Sequence, residues 1–293
     1  MIKPQLKYLT TTLSALILTV FSIACTPPQP SFDGNRALEY VSYQVGLGPR
    51  TVGSEAHAKE VDWIVAELNK SGWQTEIQES EVGGIKIKNI VGKRGSTGPW
   101  IILGAHYDTR LTSDRDPNPI LRNLPLPGAN DGASGVAVLL ELARTLPENL
   151  PLQLWLVFFD AEENNDSLGM DWIMGSRAFV QQLAGKPIAA IIVDMVGDAD
   201  LNLCIEKNSD PQLVSAIWKQ AEELGYEDTF ISQPKYSLID DHQPFLEAGI
   251  PAIDIIDFDY PYWHTSQDTL DKVSAESLEI VGKTLYAWLK NMR

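Results

Sequence analysis

Four short runs of almost purely apolar residues, at 100–105, 152–159, 189–193 and 252–256, constrain this chain more than any other feature. Runs this brief and this uniformly apolar suit strands covered on both faces, the habit of parallel sheets. Stretches with helical periodicity lie between and after them, at 132–146, 176–183, 211–224 and 275–289. Further upstream, Ser54 can cap a helix running to about Ser71, with Val61, Ile64, Val65 and Leu68 on one face and Gly72 as its stop. Segments 73–80 and 85–91 read as strands joined in a hairpin around Gly83-Gly84, and 201–205 has strand character. Strands alternating with helices predict an α/β fold: a single domain with a central mixed, mostly parallel β-sheet and helices on both faces. With 293 residues, 44% of them hydrophobic, there is ample chain for one such core.

The first residues are unlike the rest. Residues 1–12 hold Lys3 and Lys7 and no acid, and a mainly apolar run at 13–24 leads to Cys25. That run is too short to span a bilayer, which takes about 20 residues, but it suits the core of a signal peptide. Ala24-Cys25 and the Pro-rich 26–30 resemble a bacterial lipoprotein cleavage site, although Ser22 stands where such sites usually carry Leu. The expectation is a leader at 1–24, a linker at 25–34 and a folded domain at 35–293, exported and held at the periplasmic or cell-surface face by lipid on Cys25. The alternatives are an ordinary cleaved signal or an N-terminal anchor, with Cys25 incidental.

A formal charge of −16 argues against nucleic acid as a partner, because phosphate binding needs clustered Lys and Arg. It argues equally against adhesion to anionic membranes except through the lipid. Two cysteines exclude a disulfide scaffold and a Cys-rich zinc module. Cys204, in an apolar strand without a partner, is expected to be a buried, inert thiol.

Each apolar run ends in polar residues able to bind metal. The first leads into His106-Tyr107-Asp108, the second into Asp160-Ala161-Glu162-Glu163, the third into Asp194-Met195-Val196-Gly197, and the fourth towards Trp263-His264-Thr265. Gly128-Ala129-Asn130-Asp131-Gly132-Ala133-Ser134-Gly135 comes just before a helix. Ligands of such sheets gather at the carboxyl ends of the strands. Taken singly, Asp131 is an ordinary helix cap, His106 a hydrogen-bonded strand-end histidine, and Glu162-Glu163 a solvated pair. Taken together, they repel one another or share a cation. Asp, Glu and His without Cys suit a catalytic zinc with an open position. His57, on the early helix, is expected at the surface, and His242 is expected to orient its loop.

These motifs, with Gly175-Ser176-Arg177, resemble the zinc aminopeptidase-like family (peptidase family M28) and its offshoot, the glutaminyl cyclases, over about residues 35–290. In the peptidases the equivalents of His106, Asp131, Glu163, Asp194 and His264 bind two zinc ions, with Asp131 bridging. In the cyclases one zinc sits on the equivalents of Asp131, Glu163 and His264. Three features resemble the cyclases more: the indole of Trp263 before His264, the loop Asp240-Asp241-His242-Gln243-Pro244-Phe245, and the acidic, Pro-rich insertion at 109–127. The resemblance then implies conversion of N-terminal Gln to pyroglutamate with release of ammonia, on peptides or proteins, by a monomer carrying one Zn²⁺. Glu162 would move the proton, Asp194 and Asp241 would hold Glu162 and the amide nitrogen, and Trp263 and Trp172 would wall the pocket. The alternative is a di-zinc aminopeptidase that uses His106 and Asp194 for its second ion. A zinc-site relic serving only as a binding protein is disfavoured by the complete set of ligands and base.

Overall fold

The four apolar runs lie side by side in one sheet. The computed structural model describes residues 1–2 and 31–292, so the expected leader, Cys25 and most of the linker fall outside the described residues. Among the described residues, no helix is long and apolar enough to cross a membrane. The first half of the chain gives α1 (Gly34–Gly46), α2 (Glu55–Lys70), β1 (Gln74–Val82), β2 (Ile85–Arg94), β3 (Trp100–His106), α3 (Ala133–Thr145), β4 (Gln153–Phe159) and α4 (Met174–Gln181). The second half gives β5 (Ala189–Asp194), β6 (Leu203–Glu206), α5 (Pro211–Glu223), β7 (Phe230–Tyr236), α6 (Gln243–Glu247), β8 (Ala252–Ile256) and α7 (Ala275–Asn291).

The main sheet has the order β1-β2-β4-β3-β5-β8, and β6 and β7 form a small parallel pair beside it. β3, β4, β5 and β8 are mutually parallel, whereas β1 and β2 pair antiparallel at one edge. The parallel strands point their carboxyl ends the same way, and this alone gathers His106, the residues after Phe159, Asp194 and the loop after Ile256 at one rim. The larger core lies against α1, α2, α3, α5 and α7, and the smaller one joins Phe179 of α4 and Phe245 of α6 to the opposite face. α3 is almost wholly buried between the sheet and α1 and α7, so its composition is apolar all round.

Local chemistry sets the ends. Ser54 accepts a hydrogen bond from the His57 amide and caps α2, as its sequence predicts. Val82 pairs with Ile85 across Gly83-Gly84, both at positive φ, which closes the hairpin. α1 was not foreseen; Asp33 caps it by accepting from the Asn35 and Arg36 amides. Phe32 before it is buried over Gly282, where a Cβ would come within 2.1 Å of the Phe32 ring. Among the described residues, Phe32, inside the segment expected to be linker, already belongs to the packed body. β7 and α6 were also not read as elements, while buried Cys204 lies on β6 as expected.

Candidate metal centre and reactive pocket

Two overlapping sets of donors meet at the rim: His106, Asp131 and Asp194, and Asp131, Glu163 and His264, the donor atoms in each set lying within 4.8 Å of one another. Asp131 belongs to both. His106 Nε2 is 3.3 Å from Asp131 Oδ1 and 3.1 Å from Asp194 Oδ1. His264 Nε2 is 3.5 Å from Glu163 Oε2 and 3.8 Å from Asp131 Oδ2. Asp131 Oδ2 and Glu163 Oε1 are buried without a hydrogen-bond donor. A buried, unpaired carboxylate oxygen costs several kcal/mol unless a cation or proton compensates it. Convergence of nitrogen and oxygen donors on orphaned oxygens is the arrangement a divalent cation satisfies, and the absence of sulfur suits an open, catalytic site.

The neighbouring backbone is held in unusual conformations. Ala161, Met195 and His264 have positive φ values of 53°, 46° and 56°, each at or beside a site residue. Such non-glycine conformations persist only where the surroundings impose them. Asp108 supplies part of that constraint, accepting the amides of Glu162 and Glu163 at 3.0 and 3.3 Å. Asp268 does the same for Asn130 and Asp131 at 2.8 and 3.1 Å, and Tyr260 donates its hydroxyl to Asp268 at 2.7 Å. His264 Nδ1 faces Asp114 Oδ1 at 3.4 Å, which leaves Nε2 free to face Asp131 and Glu163. Arg110 ties this layer together, donating to Asp114 at 2.8 Å and to Glu163 at 3.2 Å.

Electrostatics here is dominated by buried negative charge. Burial, and then the charge of Glu163, push the Glu162 carboxyl well above its usual range. Burial also raises Asp131 and Asp194. Asp240 is pushed up to about 7, by burial first and then by Asp194. For His264, burial alone would lower the value, but the charge of Glu163, hydrogen bonds to Asp114 and Glu163, and the charge of Asp131 outweigh it and raise the imidazole to about 9.

These groups open into a cavity of about 240 Å³. Its polar lining is Asp131, Glu162, Glu163, Asp194, Ser237, Asp240 and His264; its apolar lining includes Trp172, Trp263, Phe258, Leu238 and Ile239. The Trp263 ring stacks on His264 at 4.0 Å, and Trp172 lies parallel to the same imidazole at 6.1 Å. Both tryptophans named from sequence therefore line the cavity.

Two placements differ from expectation. Asp240, not Asp241, lines the cavity; Asp241 is fully buried with both carboxylate oxygens unpaired. Asp241 donates its amide to Asp240 Oδ1 in a tight turn, so successive side chains diverge and only the first faces the cavity. His57, expected at the surface, is buried at 5% exposure, with Nε2 2.7 Å from Asp160 Oδ1 and its ring stacked on Tyr107. It shares the helical face of Val61, Ile64 and Leu68, so the same periodicity that predicted α2 already turned it inward. His242 is also buried, with Nε2 3.4 Å from Glu206 Oε2 and Nδ1 3.7 Å from Asp254 Oδ2. Sequence reasoning gave no role to Asp114, Asp108, Asp268, Glu206 or Asp254, because each acts through a contact distant in the chain.

A rim of carboxylates and imidazoles at the carboxyl ends of parallel strands, around a small aromatic cavity, has the make-up of a metal-dependent enzyme site. Residues 89–289 match the pattern of peptidase family M28, and the chain belongs to that family. It is 27% identical over 284 residues to a glutaminyl-peptide cyclotransferase-like protein of Bos taurus, covering 82% of this chain and 71% of that one. It is 28% identical over 279 residues to an aminopeptidase of Bacillus subtilis, covering 89% of this chain but only 53% of that protein. Among solved structures it resembles Bacteroides thetaiotaomicron glutaminyl cyclase bound to N-acetylhistamine, at 31% identity and a TM-score of 0.83 over 90% of this chain and 100% of that one. It resembles a Zn-dependent exopeptidase from Parabacteroides distasonis as well, at 31% identity and a TM-score of 0.84 over 90% and 99% of the two chains. Zinc is therefore the metal that these likenesses imply.

Proposed function

We propose that this chain is a zinc-dependent glutaminyl-peptide cyclotransferase, converting N-terminal Gln of peptides or proteins to pyroglutamate with release of ammonia. The observation that carries this reading is the aromatic wall: Trp172, Trp263 and Phe258 line a cavity of about 240 Å³ whose polar side holds Glu162, Asp194 and Asp240. Hydrolysis needs a place for an activated water. Ring closure needs none, because the nucleophile is the substrate's own amine, and a dry wall that holds one rotamer supplies most of what the reaction lacks.

In this reading Asp131, Glu163 and His264 would hold a zinc ion, which would supply Lewis acidity towards the side-chain amide carbonyl. Glu162 receives the proton as the α-amine attacks the amide carbon. The new C–N bond forms, the bond to the amide nitrogen breaks, and Glu162 returns the proton so that ammonia leaves. A carboxyl raised by burial and like charge suits a group that must accept and then donate. Asp240 takes the place expected of Asp241 beside the reacting amide, and Asp194 sits within hydrogen-bond distance of His106 at 3.1 Å.

A second reading rests on a specific observation. His106, Asp131 and Asp194 also converge, and a second zinc there would make a di-zinc aminopeptidase. Offering Gln-Ala and Leu-amide to zinc-loaded protein separates the two. The cyclase reading expects ammonia and pyroglutamyl-Ala in equal amounts, with little free Leu; rapid Leu release without pyroglutamate would establish the peptidase. Export and lipid anchoring at Cys25 belong to the same proposal and rest on the sequence of residues 1–30.

A further inference from the structure

Behind Asp240 lies a buried polar cluster to which the proposed reaction gives no role. β8 is apolar except for Asp254 at its centre, and Asp254 is wholly buried. Ile253 and Ile255 belong to the larger core, so alternation along the strand turns Asp254 to the opposite face, where α6 packs. There it meets His242, just before α6, and Asp240, with one donor atom from each lying within 4.8 Å of the others. Glu206, at the end of β6, stands on the far side of the imidazole, 3.4 Å from His242 Nε2.

The members of this cluster differ in how they are satisfied. Glu206 accepts the amides of Asn208, Ser209 and Leu238 and the hydroxyl of Ser209. Asp254 has no such support: both its oxygens, like both nitrogens of His242, are buried without a hydrogen-bond partner. Among the described residues, the ion-pair contact of Asp254 is with His242, at 3.7 Å, and no Lys or Arg reaches it. A buried carboxylate without donors is strongly destabilising unless a cation or a proton compensates it. Burial first, and then the charge of Asp240, push the Asp254 carboxyl well above its usual range. One imidazole and two carboxylates is also the donor make-up of Asp131, Glu163 and His264, and it suits a borderline cation such as zinc. Asp240 provides the way in, because of the three it is the one that lines the cavity.

We infer that Asp240, His242 and Asp254 form a further site for a divalent cation of the zinc type, and that occupation of this site inhibits the enzyme. A cation bound there draws the Asp240 carboxylate onto itself, so that its oxygens no longer serve the reacting amide. Binding depends on the three side chains alone; the inhibition rests on the cyclase reading, through the place that reading gives Asp240. The site is distinct from the one that His106, Asp131 and Asp194 could form, since the two sets share no residue.

The test titrates the full chain with zinc at buffered free concentrations and follows bound zinc per chain beside ammonia release from Gln-Ala. A first equivalent should activate. A further, weaker one should cut ammonia release by roughly tenfold or more, the scale of losing a group positioned at the reacting atoms. His242→Gln and Asp254→Asn should each lose that inhibitory equivalent and keep the activating one, whereas His106→Gln should retain both. Asp254→Asn keeps the shape and removes a buried charge, so the test survives if His242→Gln misfolds. Binding that stops at the activating equivalent, a further equivalent that persists in both variants, or one that binds without inhibiting overturns the inference and leaves the cyclase reading standing. No ammonia at any zinc load overturns the cyclase reading and the inhibition with it, and the zinc counts of parent and variants then decide the binding site by themselves.

Discussion

Asp114 Oδ1 lies 3.4 Å from the Nδ1 of His264, and this places a carboxylate from the 109–127 insertion behind a histidine whose other nitrogen faces Asp131 and Glu163. A carboxylate behind a metal-binding histidine fixes the tautomer and the ring orientation. Asp114→Ala should therefore weaken zinc binding by roughly 10–100-fold while leaving thermal stability nearly unchanged. Competition with a chelator of known affinity measures it, and unchanged zinc affinity would show that Asp114 is only a surface partner of Arg110.

Glu162→Gln should retain zinc and lose turnover by roughly 10²–10⁴, the usual contribution of a positioned acid–base group. Metal content per chain measured beside kcat separates this from a ligand's behaviour. If the variant loses its metal, the roles given to Glu162 and Glu163 are exchanged.

Gly132 sits at φ +96°, and an added Cβ would lie 2.9 Å from the Asp108 carbonyl and 3.3 Å from His106 Cε1. Gly132→Ala combines backbone strain with displacement of the His106 ring, so it should destabilise the fold by about 1–3 kcal/mol. Urea unfolding reads the loss, and a midpoint equal to that of the parent protein would refute the crowding argument.

His57 carries a pH signature. Burial pulls its pKa down, but the hydrogen bond and charge of Asp160 outweigh burial and raise it above the ordinary 6.5. A histidine raised in the folded state stabilises fully below its unfolded pKa and loses that contribution as pH rises through the folded value. His57→Gln should thus cost about 1.5–3 kcal/mol at acidic pH, the worth of a hydrogen bond to a charged group, and progressively less above pH 6.5. A cost that stays constant across a pH series of unfolding curves would mean that His57 is neutral in the fold.

Mature protein from its own host should begin at a lipid-modified Cys25, as the basic start, the apolar run and Ala24-Cys25 lead one to expect. Mass spectrometry of the N-terminal peptide decides the matter. An unmodified Cys25 would leave plain secretion, and an intact Met1 would exclude cleavage altogether.

What could be read from the chain was what repeats locally. The strands β3, β4, β5 and β8 each announce themselves by an unbroken apolar run, and α2 by Ser54 and the spacing of Val61, Ile64 and Leu68. Asp131, Glu163 and His264 could be named because each follows or precedes such an element. The rest depended on pairing at a distance. Asp268 holds the Asp131 amide across 137 positions, and no local pattern marks that relation. Neighbours were equally hard to tell apart: Asp240 and Asp241 are chemically identical, and only the turn decides which side chain enters the cavity. His57 shows the opposite failing, since its periodicity was visible but its polarity suggested solvent.

The contact between Asp114 and His264 also means that a carboxylate placed to steady one candidate metal ligand comes from a segment outside the packed sheet. Asn118, Pro119 and Ile120 of that segment are exposed, whereas the strands that supply the donors are buried. A protease that nicked the exposed stretch would leave the core intact yet release the carboxylate that steadies the imidazole. On the proposed reading, such a cut would act by demetallation rather than by unfolding, and a melting curve taken without zinc would not register the injury.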